Sequence, residues 1–321
     1  MGEQRLLVVG VGSELGSLAT ALLEQHERFA EVHGIDVHPP RRRLRRTTFH
    51  RVEHDEPGEF ARKIASLQPD VIIHLGVWEP HARLGTKEAR LATGNYAKAL
   101  CEAVSALNCV TRLVIRSGLE VYGAQAGRVH DEHSPVAPTS TYGHMLASLE
   151  TMIAEAAPST ATTTVLRLAP VIGAHVPSPL GRLLRLPFVP VDPTSRSKFQ
   201  VVADDDAARA VTHAALNGRH EAVNIVADGP VNIASVMRQG RRLPVPVLPL
   251  TWSFASTLTT LAGAPLPDHV RELLQHGRLA KTLTHDLDYR PIHSTEHVVS
   301  HLYSWPSVVR ISPKQPRERV A

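Results

Sequence analysis

The sequence predicts an α/β fold in which a doubly wound parallel sheet is followed by a smaller C-terminal capping domain. Its first half alternates short apolar runs with longer amphipathic stretches, a pattern typical of βαβ units. After Gly173 the composition changes to segments rich in proline and arginine. We therefore assign residues 1–173 to the sheet domain and residues 174–321 to the capping domain, with 199–226 returning to the sheet.

Each predicted element follows from its own apolar pattern. Short runs of apolar residues bounded by turns predict buried strands at 6–9, 32–35, 71–74, 113–115, 165–168 and 222–226. Apolar residues at helical spacing predict a helix beginning near Leu15 and further helices at 59–67, 86–107 and 142–156. Strands and helices in this order predict a parallel sheet, because each crossover helix returns the chain to the same sheet edge.

Composition excludes several function classes. The chain has 321 residues, of which 43% are apolar and 21% charged, as in soluble globular proteins. The two cysteines fit a reducing compartment, and we recognise no signal peptide, so a cytoplasmic location is expected. The uncharged run 243–267 contains five prolines, which favours a buried or pocket-lining segment over a membrane span.

The net charge of +4 is mild, and much of it comes from the arginine cluster at 41–46. No RNP, zinc-finger or helix-turn-helix pattern accompanies this cluster, so we interpret it as a solvated loop and predict no nucleic-acid partner. The 19 histidines show no paired metal-ligand spacing, and we predict no metal site.

A glycine-rich turn joins the first strand to the first helix. Strand, tight turn and helix N-terminus together form the arrangement that binds the pyrophosphate of a dinucleotide. This order identifies the sheet as Rossmann-type and residues 1–173 as the dinucleotide-binding domain. The predicted contacts in the turn are Gly10, Gly12, Ser13, Glu14, Leu15 and Gly16.

The second strand ends at Asp36, where a carboxylate would accept hydrogen bonds from the adenosine ribose. This acid favours NAD, because it would repel a 2′-phosphate. NADP is the alternative if the arginine loop at 41–46 folds back toward the ribose. We also predict that Glu53 and His54 contact the cofactor.

At several further positions the chain resembles the extended short-chain dehydrogenase/reductases, the NAD-dependent epimerase/dehydratase family of nucleotide-sugar enzymes. The similar segments are VIIHLG (71–76), SGLEVYG (117–123), DEHSPVAPTSTYG (131–143), LRLAPVIG (166–173), ADDDAARA (203–210), VNIVADGPVNI (223–233) and LDYRP (287–291). The resemblance implies that Leu75, Gly76 and Asn95 lie beside the cofactor. It also implies a catalytic Tyr142, which would contact the cofactor as well, with Ser117 as the nearest serine.

The chain departs from this family at two catalytic positions. The family lysine, four residues after the tyrosine, is replaced by Leu146, and the Ser/Thr position is Gly118. Without a lysine on the same helix face, a tyrosine keeps a pKa near ~10 and is scarcely ionised at neutral pH. His81 and His175, in loops after predicted strands, are other candidates for proton transfer.

Two functions remain open at this point. One is an epimerase/dehydratase-like oxidoreductase with atypical or weak catalysis on a nucleotide-sugar or related alcohol or ketone. The other is a catalytically silent NAD(P)-binding protein that acts as a sensor or a partner-binding module. The resemblance further implies a small-molecule substrate and a homodimer formed through the helices at 86–107 and 142–156.

Overall fold

A seven-stranded parallel sheet forms the centre of the protein. The computed structural model describes residues 4–53, 56–81, 84–219, 221–248, 251–283 and 289–305. The strands are β1 (Gln4–Val9), β2 (Phe29–Asp36), β3 (Thr47–Arg51), β4 (Val71–His74), β5 (Arg112–Gly118), β6 (Val129–His130), β7 (Thr162–Leu168), β8 (Val171–Ile172), β9 (Phe188–Val191), β10 (Lys198–Phe199), β11 (Val202–Ala203), β12 (Glu221–Ile225), β13 (Val231–Asn232), β14 (Leu243–Pro246) and β15 (Leu279–Ala280).

The helices are α1 (Glu14–Leu23), α2 (Pro57–Leu67), α3 (Thr86–Ala106), α4 (Thr141–Ala156), α5 (Pro179–Leu184), α6 (Asp204–Asn217), α7 (Ile233–Gly240), α8 (Trp252–Leu261), α9 (Asp268–His276) and α10 (Thr295–Ser304). A 3₁₀ turn covers Leu119–Tyr122. Helix α1 packs against α6, while α2, α3 and α4 pack in a row, so the sheet has a helical layer on each face.

The strand order in the sheet is β12-β7-β5-β4-β1-β2-β3, with every neighbouring pair parallel. Strands β1 and β4 are neighbours, but the chain continues from β1 to β2 on one side and from β4 to β5 on the other side. Between them, at the carboxyl ends of the strands, lies the switch point at which open α/β sheets bind ligands. The Rossmann-type prediction is confirmed, and β3 is a strand that the sequence pattern did not predict.

A second cluster of buried apolar residues lies after β7. It includes Leu183 of α5, Phe199 of β10, Trp252 of α8, Leu273 of α9 and Val299 of α10. Strand β12 and helix α6, by contrast, lie in the layers of the main sheet. The division at residue 173 stays a prediction.

The uncharged run at 243–267 contains the exposed strand β14 and the helix α8. The prolines at 244 and 246 lie within β14. In the part of the chain that the structure describes, no helix is both long and apolar enough to cross a membrane.

Candidate functional site

Ser13, the residue immediately before α1, holds the glycine turn together through its hydroxyl. The Ser13 hydroxyl accepts a hydrogen bond from the Gly16 amide at 2.9 Å and donates one to the Gly10 carbonyl at 2.9 Å. Gly10 has φ +90°, and a Cβ there would lie 2.6 Å from the Gly76 nitrogen. The turn therefore packs directly on the end of β4 and lies at the N-terminus of α1, the end of a helix that favours an anion.

Asp36 is held against this turn. Its carboxylate accepts hydrogen bonds from the Gly12 amide at 2.9 Å and from the His38 amide at 3.0 Å. The side chain is buried, and burial raises its pKa although these amides oppose the shift. A Cβ at Gly12 would lie 2.3 Å from the His38 carbonyl oxygen, so the close approach of the two segments requires glycine.

The arginine loop at 41–46 folds back onto α1. The Arg41 amide donates to the Ser17 hydroxyl at 2.8 Å, and the Arg42 guanidinium pairs with the buried Glu14 carboxylate at 2.8 Å. Glu14, Arg41, Arg42 and His175 line a cavity of about 500 Å³ beside the turn. The interpretation as a solvated loop is therefore wrong in part: the arginines are exposed, but the backbone is bound to α1.

The predicted catalytic tyrosine lies near the start of α4. Tyr142 is buried, and Leu146 one turn later is fully buried on the same helix face. Burial raises the pKa of Tyr142, although the positive charge of the Arg116 guanidinium opposes that shift. The phenol is thus neutral, and Arg116 of β5 supplies a positive charge at its hydroxyl.

His269 of α9 covers the ring of Tyr142. The two ring centroids are 4.7 Å apart, and His269 is 2% exposed. Its Nε2 lies 3.0 Å from a Glu79 carboxylate oxygen, and its Nδ1 lies 3.6 Å from Asp268. Burial disfavours the imidazolium, but the neighbouring carboxylates of Asp268 and Glu79 outweigh it and raise the pKa to about 9. An imidazolium therefore packs against Tyr142 at neutral pH.

The cavity beside Tyr142 is small, at about 20 Å³. Its lining includes Glu79, Arg116, Gly118 and Glu120. Glu120 pairs with the buried Arg278 at 3.0 Å. The site therefore combines three cationic groups and several carboxylates around one neutral phenol.

Ser117 is engaged in a different network. Its hydroxyl donates to Glu150 at 2.5 Å, and Glu150 pairs with Arg167 at 2.7 Å. Arg167 in turn donates to the Tyr122 hydroxyl at 2.9 Å. The network ties β5 to β7 and α4, so this hydroxyl is held by Glu150 rather than by Tyr142.

Other predicted residues are placed as follows. The Leu75 amide donates to the Val9 carbonyl at 2.8 Å, which sets Leu75 and Gly76 beside the glycine turn. Asn95 lies on α3, and Glu53 pairs with Arg51 at 3.1 Å on the surface. His81 pairs through its backbone with Leu84. His54 lies outside the described residues.

Three groups at Tyr142 were absent from the predicted site: Arg116, Glu79 and His269. Arg116 carries a signal in the sequence, since a charged residue in a buried strand is unusual. Glu79 follows the end of β4, where functional groups of such sheets gather. Nothing near His269 in the sequence indicates its contact, which joins residues 190 positions apart.

Asp205, Asp206 and His293 form a group whose ligand atoms all lie within 4.8 Å of one another. Asp206 accepts hydrogen bonds from the amides of Ile292 and His293, each at 3.0 Å. These contacts satisfy the buried carboxylate and fasten the segment before α10 to the start of α6.

Comparison with known proteins finds a matching family model, similar sequences and many solved structures with a similar fold. The chain is 28% identical over 310 residues to the uncharacterized proteins Rv0501 of Mycobacterium tuberculosis and Mb0513 of Mycobacterium bovis, covering 89% of this chain and 80% of each relative.

Among solved structures, the chain is similar to a UDP-glucose 4-epimerase with UDP-glucose from Thermotoga maritima (17% identity, TM-score 0.71, covering 94% of this chain and 98% of that one). It is also similar to a UDP-glucuronic acid 4-epimerase from Bacillus cereus in complex with NAD (16% identity, TM-score 0.70, covering 94% and 98%). NAD, the predicted cofactor, is bound in the Bacillus cereus enzyme. The family model matches residues 6–225, and the chain belongs to the NAD dependent epimerase/dehydratase family.

Proposed function

We propose that this protein binds NAD and acts as an epimerase/dehydratase-type oxidoreductase, with weak turnover, on a nucleotide-linked sugar or a related alcohol or ketone. The observation that carries the proposal is the position of Asp36, fixed by the Gly12 and His38 amides beside the glycine turn. This is where a carboxylate meets the adenosine ribose in dinucleotide-binding sheets.

The residues present fit a dinucleotide. Gly10, Gly12 and Gly16 leave a backbone cradle in which a Cβ would overlap neighbouring backbone atoms. The adjoining cavity of about 500 Å³ carries the guanidinium groups of Arg41 and Arg42, which can balance the pyrophosphate charge. When bound, the nicotinamide supplies the hydride acceptor or donor of the reaction.

The protonated state of Tyr142 limits what the chain's own residues contribute to proton transfer. Burial and the absence of the lysine keep the Tyr142 phenol protonated, so it donates a hydrogen bond more readily than it removes a proton. The positive charge of Arg116 partly opposes the rise in the pKa of this phenol. Slow turnover follows, since a general base needs a pKa near the working pH.

A silent NAD-binding protein is the second candidate, favoured by the small cavity at Tyr142. A sugar ring does not fit in about 20 Å³, so a substrate would require the residues around Tyr142 to move apart. We further propose a homodimer through α3 and α4, as the family resemblance implies, and a cytoplasmic location, which the two cysteines favour.

Calorimetry with Asp36→Ala tests the cofactor proposal. We expect NAD affinity to fall at least tenfold, about 1.4 kcal/mol, because a ribose acceptor is lost, and NADP affinity to fall less. Asp228→Ala, which removes an exposed carboxylate, is the matched control. No binding of either nucleotide, or a preference for NADP in the unmutated protein, would contradict the proposal.

Turnover of UDP-sugars separates the two candidate functions. An oxidoreductase should show slow turnover that Tyr142→Phe abolishes while NAD affinity is retained. A silent protein should bind NAD, show no turnover above the heat-inactivated control, and be unaffected by the substitution. Rapid turnover by the unmutated protein would contradict the argument from the neutral phenol.

A further inference from the structure

Two arginines of the capping region lie together at one end of a small sheet. Arg185 caps the C-terminal end of α5, and Arg242 precedes β14. Strands β9 and β14 pair in parallel, and the Leu243 amide donates to the Pro187 carbonyl at 3.0 Å. This pairing keeps the two arginines close in space.

Each of these arginines packs on an aromatic ring. The Arg185 guanidinium lies 5.6 Å from the ring centroid of Trp305, and that of Arg242 lies 5.5 Å from Tyr303. Tyr303 is itself fixed against Gly240, where a Cβ would lie 2.2 Å from the ring. Aromatic faces orient a guanidinium but satisfy none of its N–H donors in the plane of the group.

Several donors of this cluster have no acceptor. Nε and Nη2 of Arg185, Nε of Arg242 and the Tyr303 hydroxyl are buried without a hydrogen-bond partner in the described part of the chain. Burial lowers the pKa of Arg185, and the positive charge of Arg242 lowers it further. Unsatisfied donors beside two like charges call for an anion or ordered water.

In the described part of the chain, neither arginine of this cluster has an acidic partner. Among the described residues, no carboxylate oxygen lies within 4.0 Å of either guanidinium. Between Asp228 and Asp268 the sequence contains three arginines and no acidic residue. Arg185 and Arg242 therefore repel each other, and no described acidic residue offsets this repulsion.

We propose that Arg185, Arg242 and the Tyr303 hydroxyl form a binding site for a phosphate group of a ligand other than the cofactor. None of the three lines either cavity described at the glycine turn or at Tyr142. Guanidinium groups present paired N–H donors that suit phosphate oxygens, and the negative charge of a phosphate group would offset the repulsion between the arginines. The proposal does not depend on the proposed function.

Titration of the full-length, NAD-saturated protein with inorganic phosphate and with pyrophosphate tests this site by calorimetry. Arg185→Gln and Arg242→Gln should each weaken binding at least tenfold, because each removes one fork of donors. Arg238→Gln, which removes an exposed arginine from the nearby α7, should change it less than threefold. Unfolding temperature without phosphate provides a second readout: the Gln variants should be no less stable than the unmutated protein, because one of two like charges is gone.

The source of the phosphate is settled by parallel binding to vesicles of phosphatidylglycerol and of phosphatidylcholine. Binding of pyrophosphate alone indicates a soluble phosphate ester, and arginine-dependent binding to phosphatidylglycerol vesicles indicates a lipid headgroup. Either result supports the site. Should Arg185→Gln fold poorly, Arg185→Lys keeps the charge but loses the fork and should still weaken binding. Equal binding by the unmutated protein and both Gln variants, or no binding of any probe, overturns the proposal.

Discussion

Raising the pH from 6.5 to 9 should destabilise this protein through His269. The imidazolium is buried against Tyr142 and contacts Glu79 and Asp268, which raise its pKa from 6.5 to about 9 in spite of burial. Because the folded state binds this proton more tightly, the stabilisation is fully present below pH 6.5. It is lost as the pH rises through about 9.

The magnitude follows from that interval. About 1.4 kcal/mol for each pH unit between 6.5 and about 9 gives a loss of about 3 kcal/mol. Urea unfolding at a series of pH values measures it, and His269→Gln should remove most of the slope. His144→Gln, at an exposed position of α4, should leave the slope unchanged. If the unmutated protein and His269→Gln lose stability in parallel between pH 6.5 and 9, the imidazolium assignment is refuted.

Two further predictions concern the arginine loop at the glycine turn and the two departures from the family pattern. Arg42→Gln should weaken NAD binding about tenfold in calorimetry, because it leaves the buried Glu14 carboxylate unpaired beside the pyrophosphate, and Glu14→Gln in the same chain should restore most of the loss. An unchanged affinity in the single variant would show that the loop does not reach the cofactor. The double change Gly118→Ser with Leu146→Lys should lower the unfolding temperature without increasing turnover, because both side chains enter filled space. A stable double variant with faster turnover would contradict this reasoning.

The central part of the fold could be predicted because its signals are local. The β1–α1–β2 unit combines an apolar run, glycines at a turn and an acid at the next strand end, all within 36 residues of sequence. Strand β3 was missed for a physical reason: it is an edge strand whose residues are partly exposed, so it lacks the apolar run of a buried strand.

The arginine loop shows what local pattern cannot reveal. A run of arginines between two strands reads as a solvated loop, yet Glu24 accepts hydrogen bonds from the amides of Arg45 and Arg46 at 3.0 Å each. Glu24 is one of many acids on predicted helices, and nothing in the sequence marks it as buried. The charges around Tyr142 were missed for the same reason, because Glu79 and His269 meet only after the capping region folds over α4.

One packing arrangement accounts for the missing serine, and Leu146, at the lysine position, is part of it. A Cβ at Gly118 would lie 2.4 Å from a Glu120 carboxylate oxygen and 3.1 Å from a Leu146 methyl carbon. Leu146 and the Glu120 carboxylate thus already crowd the place of a serine side chain. Glu120 is in turn held by its buried pair with Arg278, and breaking such a pair typically costs about 3–5 kcal/mol. Restoring a serine would therefore require the whole cluster to shift, and a lysine at 146 would enter the same filled space, where Arg116 and His269 already place positive charge near Tyr142.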